Sequence, residues 1–425
     1  MKVINYKNRI IDKKIDEYLK LFGAICVEGP KWCGKTWTSL YHSKSSFLIA
    51  DPSNDFQNRK LANLSMQVAL EGEFPHLIDE WQELPEIWDA VRYKVDELGE
   101  KGCYILTGSS TPKIKGVLHS GAGRIAHLRM NTMSLYESGN SSGDISLKDL
   151  CYNENLTSKK YEDVSLDLLM ELIIRGGFPQ NIQETSYNVL KIMNEYIEGI
   201  VKYDLSRIDN KNRNYSKVSL LLKSLARNES TFASKVTLQK DIKESDNDDI
   251  DINTISDYID SLQRVYLIDD IAPFGLKIRS RDKVRLASKH HFVDTSIPCS
   301  ILNITKEKLI NELDTFGLLF ESMCIRDLKV YADSFNAKVY HYHDYNDNEI
   351  DAVIELDNGE WCAFEIKLGV KQIDEAAKSL LHIKNIIERE GKKAPKVMCI
   401  ISGLSNYSYK RDDGIYVIPI LALKN

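Results

Sequence analysis

The stretch GPKWCGKT, residues 29–36, decides which fold the first part of the chain adopts. It matches the pattern GxxxxGK(S/T) without a gap and lies between an apolar run, AICVE, and a helical segment, which is the context that this motif requires. The glycines let successive backbone amides turn inward around phosphate, and the amino end of the helix adds partial positive charge. We therefore predict a nucleotide-binding loop with these members: Gly29, Pro30, Lys31, Trp32, Cys33, Gly34, Lys35 and Thr36.

HLIDE, residues 76–80, supplies the acidic groups that hydrolysis of a nucleotide needs. Asp79 would hold Mg²⁺ through water, with the Thr36 hydroxyl as a further ligand, and Glu80 would act as the general base that polarises the attacking water. Lys35 would reach the β and γ phosphates. Solvation of a strand end is the alternative explanation for the two carboxylates.

YILTGSS, residues 104–110, ends the next predicted strand in hydroxyl groups. Thr107 or Ser109 is thereby placed to contact the γ phosphate or the attacking water. Ordinary turn chemistry explains the hydroxyls equally well.

An incomplete sequence motif indicates which nucleobase the predicted nucleotide carries. Guanine-specific sites usually carry an NKxD element, and the near match NKNR, residues 210–213, has arginine where the aspartate should be. Adenine is therefore favoured, and ATP and Mg²⁺ are the predicted cofactors.

Alternating apolar and amphipathic segments predict an α/β domain with a mainly parallel sheet over residues 1–140. Its candidate strands lie at 24–28, 47–50, 76–79 and 104–107, and its candidate helices at 58–70 and 85–98. A polar break, SGNSSG, ends this domain. Residues 160–295 have helical patterns followed by a hairpin, the order of a winged helix, and 305–425 form a third, α/β domain.

The composition is that of a globular protein, with 43% hydrophobic and 28% charged residues in a chain of 425. The net charge of −6 argues against nucleic acid along the whole chain, but it leaves a local basic surface open. No run of eighteen apolar residues occurs, and the amino-terminal segment has no apolar core of the signal-peptide kind, so we expect a cytoplasmic protein without a membrane contact. The eight cysteines form no CxxC pair, which predicts buried, reduced thiols.

Five segments, taken in order, resemble a large prokaryotic group of AAA+-superfamily ATPases in which the ATPase precedes a C-terminal domain of unknown function: EGPKWCGKT, LIDEWQELP, ILTGSS, AGRIAHLRMNTMSLYE and RGGFP. The resemblance implies that Arg124, in AGRI, lies near the nucleotide or a neighbouring subunit and acts as a sensor or finger. A surface arginine is the open alternative. A homo-oligomer, either a ring or a dimer, is also implied, because active sites of AAA+ relatives often lie between subunits.

The last third contains EIDAVIELDNGEWCAFEIKLG, residues 349–369, which has the pattern of a hairpin. If its loop has three residues with Gly359 left-handed, Asp351 faces Glu365 across the strands. Two opposed carboxylates repel, so a cation or a basic group must sit between them. We predict a second Mg²⁺ ion there, with Lys367 orienting water. A two-residue loop would instead place the carboxylates on opposite faces.

This hairpin and the helix before it are similar to the restriction-endonuclease-like PD-(D/E)xK fold, and Glu321 matches the acidic helix position of that pattern. The resemblance implies a metal-dependent nuclease site. A nuclease-like fold used only for binding, and a merely solvated hairpin, are the alternatives.

Alternating basic residues upstream predict a nucleic-acid contact. On a β-strand, Lys277, Arg279, Arg281, Lys283 and Arg285 share one face that could follow a phosphate backbone, although a solvated or edge-protecting strand is the more common case.

Together the patterns favour an Mg²⁺-dependent ATPase that acts as a switch or motor, with DNA or another nucleic acid as candidate partner. An ATP-gated DNA nuclease, and a signalling ATPase whose C-terminal half binds a protein partner without cleavage, are the alternatives.

Overall fold

The computed structural model describes residues 6–111, 119–154, 156, 158–209, 211, 213–246, 250–276 and 287–425. Their contacts divide the chain into two compact units. The first unit comprises Met1–Thr132, Ile200–Arg213 and Asp260–Leu267, and the second comprises Met133–Gly199, Asn214–Ile259 and Ile268–Asn425. The boundaries of the three domains expected from the sequence, 1–140, 160–295 and 305–425, remain a prediction.

The first unit is built on a five-stranded sheet in which every pairing is parallel, in the order β2-β3-β4-β1-β5. The strands are β1 Ala24–Glu28, β2 Ser45–Leu48, β3 His76–Asp79, β4 Tyr104–Gly108 and β5 Ile125–Arg129. Because parallel strands all end at the same edge, the residues that follow β1, β3 and β4 meet on one side of the sheet. This confirms the predicted α/β fold with the parallel sheet of a P-loop NTPase. The sequence pattern missed β5.

Successive residues of β1 pack into two cores, one on each face of the sheet. Cys26 belongs to the core that contains Trp81 and Trp88, whereas Val27 belongs to the core that contains Leu128. Burial on both faces explains why these strands are continuous apolar runs rather than alternating ones.

The helices in chain order are α1 Asp12–Leu21, α2 Lys35–Tyr41, α3 Ser53–Leu64, α4 Gln67–Leu70, α5 Ile87–Leu98, α6 Leu147–Asn153, α7 Leu166–Arg175, α8 Ser186–Gly199, α9 Leu205–Arg207, α10 Tyr215–Arg227, α11 Lys235–Asp246, α12 Ile252–Arg264, α13 Ser296–Ile301, α14 Lys306–Asn311, α15 Leu313–Asp333 and α16 Ile373–Arg389. A π-helical turn, Ile200–Asp204, follows α8. Ser165 and Thr305 begin α7 and α14 by accepting a hydrogen bond from a backbone N–H of the first turn. The single helix expected at 58–70 is instead two, because Ser65 is extended.

The second unit contains a seven-stranded mixed sheet in the order β7-β12-β13-β11-β10-β9-β8. Its strands are β7 Lys159–Lys160, β8 Lys338–His343, β9 Glu349–Glu355, β10 Trp361–Lys367, β11 Val397–Ser402, β12 Tyr407–Lys410 and β13 Tyr416–Pro419. A smaller sheet pairs β6 Ile145–Ser146 with β14 Leu423–Lys424. Strands β8, β9 and β10 are antiparallel, and β11 returns parallel to β10 after α16.

The register of the β9–β10 hairpin is the one that the three-residue loop predicts. Trp361 pairs with Glu355 and Phe364 with Ala352, so Asp351 and Glu365 come next in the same register. Gly359 has φ 76°, which a glycine adopts without strain. The alternative two-residue loop is therefore wrong.

The middle of the chain has the three helices α10, α11 and α12, which lie within the region 160–295 where the sequence has helical patterns. Antiparallel bridges then join Ile268 to Phe292 and Ile271 to Lys289. The basic strip from Lys277 to Arg285 lies outside the described residues, so the winged helix stays a prediction.

All eight cysteines are buried and free, as expected. Among the described residues, none of the helices is both long enough and apolar enough to span a bilayer.

Candidate functional site

The predicted phosphate loop follows β1 and leads into α2. Gly29 is required by space, since a Cβ there would lie 2.0 Å from the carbonyl oxygen of Met130. Trp32 (φ 66°) and Gly34 (φ 106°) have left-handed backbone conformations, which turn the chain into α2. The backbone therefore has the tight turn that phosphate binding by this motif requires.

Lys35 lies across this loop. The side chain is buried, with the residue 5% exposed, and its ammonium donates to the carbonyl oxygens of Gly29 at 2.9 Å and Pro30 at 2.8 Å. A phosphate oxygen in the loop would offer the same ammonium a charged acceptor, which makes a stronger hydrogen bond than a neutral carbonyl. The Lys35 ammonium therefore already lies at the position where the predicted phosphate would bind.

Arg9 holds the same loop in place, and sequence reasoning missed it. Its guanidinium donates to the carbonyl oxygens of Cys33 at 2.8 Å and Asn131 at 2.9 Å, and so ties the loop to the segment after β5. Those partners are 24 and 122 residues away. No local pattern in the sequence marks such contacts.

The predicted magnesium ligands come together at the carboxyl edge of the sheet. Asp79 Oδ1 accepts hydrogen bonds from the hydroxyls of Thr36 at 2.9 Å and Thr107 at 2.6 Å. Burial raises the pKa of Asp79, and the charge of Glu80 raises it further, while the two hydroxyls oppose this. An oxygen set of one hydroxyl and one desolvated carboxylate suits Mg²⁺, which would restore the charge balance of the site.

Glu80 stands beside Asp79 with its carboxylate held from two sides. Ser109 donates to Glu80 Oε2 at 3.0 Å, and the Gln82 amide contacts the same oxygen. Gln82 also donates to Ser109 at 3.1 Å, and the Glu80 backbone N–H donates to Thr107 Oγ1 at 2.9 Å. The backbone of Glu80 is left-handed, with φ 57°. The structure therefore orients the predicted general base through Gln82, a residue that the sequence did not single out.

A cavity of about 360 Å³ opens next to these groups in the first unit. Its lining includes Gln82, Ser109, Lys31, Arg59 and Arg207. Its volume falls at the lower end of the range of ligand pockets, about 300–1,000 Å³. The cavity is thus large enough for a small ligand beside the predicted base, and its lining combines Lys31 and Arg59 with their acidic partners, Asp204 and Glu83.

Arg124 lies at the other edge of the sheet. It precedes β5, whose first residue pairs with Ala24 at the start of β1, whereas the phosphate loop follows the end of β1. Its guanidinium donates to Asp96 at 2.9 Å. A sensor role toward the nucleotide of the same chain is therefore wrong, because a strand's length separates the two; a role at a neighbouring subunit stays a prediction. Arg129, at the carboxyl end of β5, stacks over the ring of Tyr266 at 4.0 Å and was missed.

In the second unit, the hairpin register brings the predicted trio together. Asp351 Oδ2 accepts from the Ile366 N–H at 2.7 Å and from Lys367 Nζ at 3.0 Å. Lys367 Nζ also lies 2.6 Å from Glu365 Oε2. The basic group that relieves the repulsion between the two carboxylates is therefore Lys367 itself.

Lys289, which no sequence pattern marks, brings a second ammonium group to these carboxylates, and the acidic cluster they form comprises Glu321, Glu349, Asp351 and Glu365. Its side chain is 3% exposed, and Nζ lies 2.6 Å from Glu321 and Glu349 and 4.0 Å from Asp351. Burial raises the pKa of Glu321 to about 8, Asp351 and Glu349 add to this, and Lys289 opposes it. Burial, with the neighbouring Asp351, holds the pKa of Glu365 well above its usual range.

The cluster thus differs from the metal site expected for it. Within the part of the chain that the structure describes, Glu321, Asp351 and Glu365 do not form a set of three ligand atoms that all lie within 4.8 Å of one another. Lysine ammonium groups stand where the sequence predicts a second Mg²⁺ ion.

Comparison with known families supports the assignment of the first unit. Residues 22–139 match the family described as AAA domain. The match agrees with the five-stranded parallel sheet, and this part of the chain has the fold of a P-loop ATPase domain. Residues 166–308 and 316–423 match two families described as domains of unknown function, DUF8612 and DUF4143.

Among individual proteins, the chain is similar to the uncharacterized proteins Mb2031c of Mycobacterium bovis and Rv2008c of Mycobacterium tuberculosis. Each is 22% identical over 348 residues, which cover 81% of this chain and 70% of the relative. Solved structures with some likeness are the Walker-type ATPase PABY2304 of Pyrococcus abyssi (15% identity, 68% of this chain and 94% of that chain, TM-score 0.45) and AMPPCP-bound DnaA from Aquifex aeolicus (14%, 62% and 89%, TM-score 0.29). At these identities and scores, neither carries an activity over to this chain.

Proposed function

We propose that the protein is a Mg²⁺-dependent ATP hydrolase in which ATP works as a switch or motor for the second unit. The observation that carries the proposal is the convergence of Lys35, Thr36, Asp79 and Glu80 at one edge of a parallel sheet, with Thr36 and Asp79 already joined at 2.9 Å. Four groups from two distant sequence motifs meet where hydrolysis by a P-loop enzyme needs them.

Each residue has a separate task in this proposal. Lys35 exchanges the carbonyls of Gly29 and Pro30 for phosphate oxygens, and so supports the negative charge that develops on the transferred group. Thr36 and Asp79 would hold Mg²⁺, which supplies charge neutralisation at the β and γ phosphates. Glu80, positioned by Gln82 and Ser109, accepts a proton from the attacking water.

ATP turnover by the full-length chain tests this. The Lys35→Ala variant should lose turnover, because it removes the ammonium that contacts the loop carbonyls of Gly29 and Pro30, where the phosphates would bind. Lys94→Ala serves as the matched control, since Lys94 pairs with Glu97 on the surface of α5 and should leave turnover unchanged. Turnover by Lys35→Ala at the wild-type rate would sink the phosphate assignment.

A second candidate function is an ATP-gated nuclease in the second unit. The hairpin register favours it, because Asp351, Glu365 and Lys367 meet as the PD-(D/E)xK pattern requires. Nicking of plasmid DNA with Mg²⁺ should then disappear in Glu365→Ala. Absence of nicking in the wild type with and without ATP would leave the other alternative, a C-terminal half that binds nucleic acid or a protein partner without cleavage.

A further inference from the structure

Three side chains on one face of the first unit's sheet have the chemistry of metal ligands. Cys26 and Glu28 are two residues apart on β1, so they project from the same face, and His127 on β5 is the direct pairing partner of Cys26. Glu28 Oε1 lies 2.8 Å from His127 Nδ1 and 3.8 Å from Cys26 Sγ. One ligand atom from each residue fits within a span of 4.8 Å.

These separations suit one small ion bound by all three residues. Zinc bonds of about 2.3 Å to sulfur and about 2.0–2.2 Å to nitrogen or oxygen place tetrahedral donors roughly 3.2–3.6 Å apart. The observed contacts of 2.8 and 3.8 Å lie on either side of that range. Side-chain rotations that shift each donor atom by a few tenths of an ångström would place an ion between the three donors, without movement of the strands.

The ligand set also determines which metal fits. A thiolate, an imidazole and a carboxylate form the mixed S/N/O set that borderline-soft ions such as Zn²⁺ prefer, whereas Mg²⁺ takes oxygen ligands. The site is therefore chemically distinct from the Mg²⁺ ligands Thr36 and Asp79. The proposed site also adjoins the phosphate loop in sequence, because Glu28 directly precedes Gly29.

Two tryptophans complete the surroundings of the site. The Trp88 ring packs on the His127 imidazole, with centroids 5.4 Å apart, and so restricts how that ring turns. Burial, together with the Glu28 carboxylate, raises the pKa of the Cys26 thiol well above its usual range, and the neighbouring Trp81 side chain, a residue 4% exposed, opposes this. A bound metal ion would displace the thiol proton, because the thiolate is the form of cysteine that binds metals.

We propose that Cys26, Glu28 and His127 bind one Zn²⁺-type transition-metal ion, with the fourth position open to water. Access comes from the side of His127, whose side chain is 53% exposed on the edge strand β5, while Cys26 forms the buried floor. Three protein ligands with an open fourth position are the arrangement of zinc sites that keep room for water or another small ligand.

The test uses the full-length chain, treated with a chelator and titrated with Co²⁺ as a spectroscopic substitute for Zn²⁺. The wild type should bind one Co²⁺ with a thiolate-to-cobalt charge-transfer band, which Zn²⁺ then displaces. Cys26→Ser should lose the band, and His127→Gln should bind Co²⁺ at least about tenfold more weakly, on the scale by which loss of even an indirect partner of a metal weakens binding. Cys103→Ser, which changes another buried cysteine of the first unit, should keep both the band and the affinity.

Three results would overturn the proposal: no charge-transfer band in the wild type, the same band in Cys26→Ser, or wild-type affinity in His127→Gln. Because His127 is largely exposed, its variant should fold even if Cys26→Ser does not. Circular dichroism of each variant confirms that point before the titration.

Discussion

Replacement of Lys289 by methionine tests the account of the acidic cluster in the second unit. In the folded protein, its ammonium lies 2.6 Å from Glu321, and the side chains are 3% and 10% exposed. Glu349 is at the same distance but 35% exposed, so water screens that pair and it adds little. The energetic consequence therefore comes mainly from the Glu321 pair.

The magnitude depends on pH, because Glu321 titrates near neutrality. The pKa of Glu321 is raised to about 8, mainly by burial, so the folded state holds this proton while the unfolded state releases it near 4.5. The stability that this bound proton contributes is thus fully present below pH 4.5 and is lost as the pH rises through 8. Lys289 lowers this pKa, so its removal raises the pKa further and extends the decline in stability to higher pH, beyond 8.

We expect Lys289→Met to cost about 3–5 kcal/mol at pH 9, where it leaves a buried charge without its partner. At pH 6, where Glu321 is protonated, the cost should fall to about 1–3 kcal/mol, the range for an unsatisfied hydrogen-bonding group. Hydrogen–deuterium exchange of peptides from Glu349–Glu355 and Trp361–Lys367 measures this loss of unfolding free energy. Each loss of about 1.4 kcal/mol speeds exchange about tenfold. The control is Lys329→Met, because Lys329 pairs with the 28% exposed Asp269 and should cost no more than about 1 kcal/mol at either pH. Equal effects of the two variants, or a Lys289→Met effect independent of pH, would refute the reasoning.

Two further predictions concern other buried groups. Burial raises the pKa of Glu229 from 4.5 to about 8, so this residue should lower the free energy of unfolding by as much as about 5 kcal/mol as pH rises between those values. Glu229→Gln, which is uncharged at every pH, should remove that slope in urea titrations at pH 5 and pH 8, and an unchanged slope would contradict the assignment. Gly29→Ala would place a methyl group 2.0 Å from the Met130 carbonyl oxygen, so we expect it to abolish ATP binding in equilibrium dialysis. Gly99→Ala, with open space around the added Cβ, should bind ATP like the wild type.

The parts of the molecule that sequence predicts well are governed by local rules. The phosphate loop needs glycines at set positions, and the β9–β10 register follows from one left-handed glycine, Gly359, in a three-residue loop. Both could be inferred because a few neighbouring residues determine them.

The parts that were missed depend on contacts between distant residues. Lys289 reaches Glu349 from 60 residues away, and Arg9 reaches Asn131 from 122 away, so no local spacing reveals either. Arg124 shows the opposite error. A resemblance placed it near the nucleotide, but the parallel pairing of β1 and β5 puts it at the far edge of the sheet. Strand order is a global property that the motif does not contain.

The most direct test of the central claim is single-turnover ATP hydrolysis by Glu80→Gln. The substitution keeps the shape of the side chain that Gln82 and Ser109 hold, but it removes the base. We expect ATP to bind with nearly wild-type affinity and hydrolysis to slow by about 10²–10⁴-fold, the usual contribution of a positioned general base. Hydrolysis at the wild-type rate would contradict the assignment of Glu80, and with it the proposed mechanism.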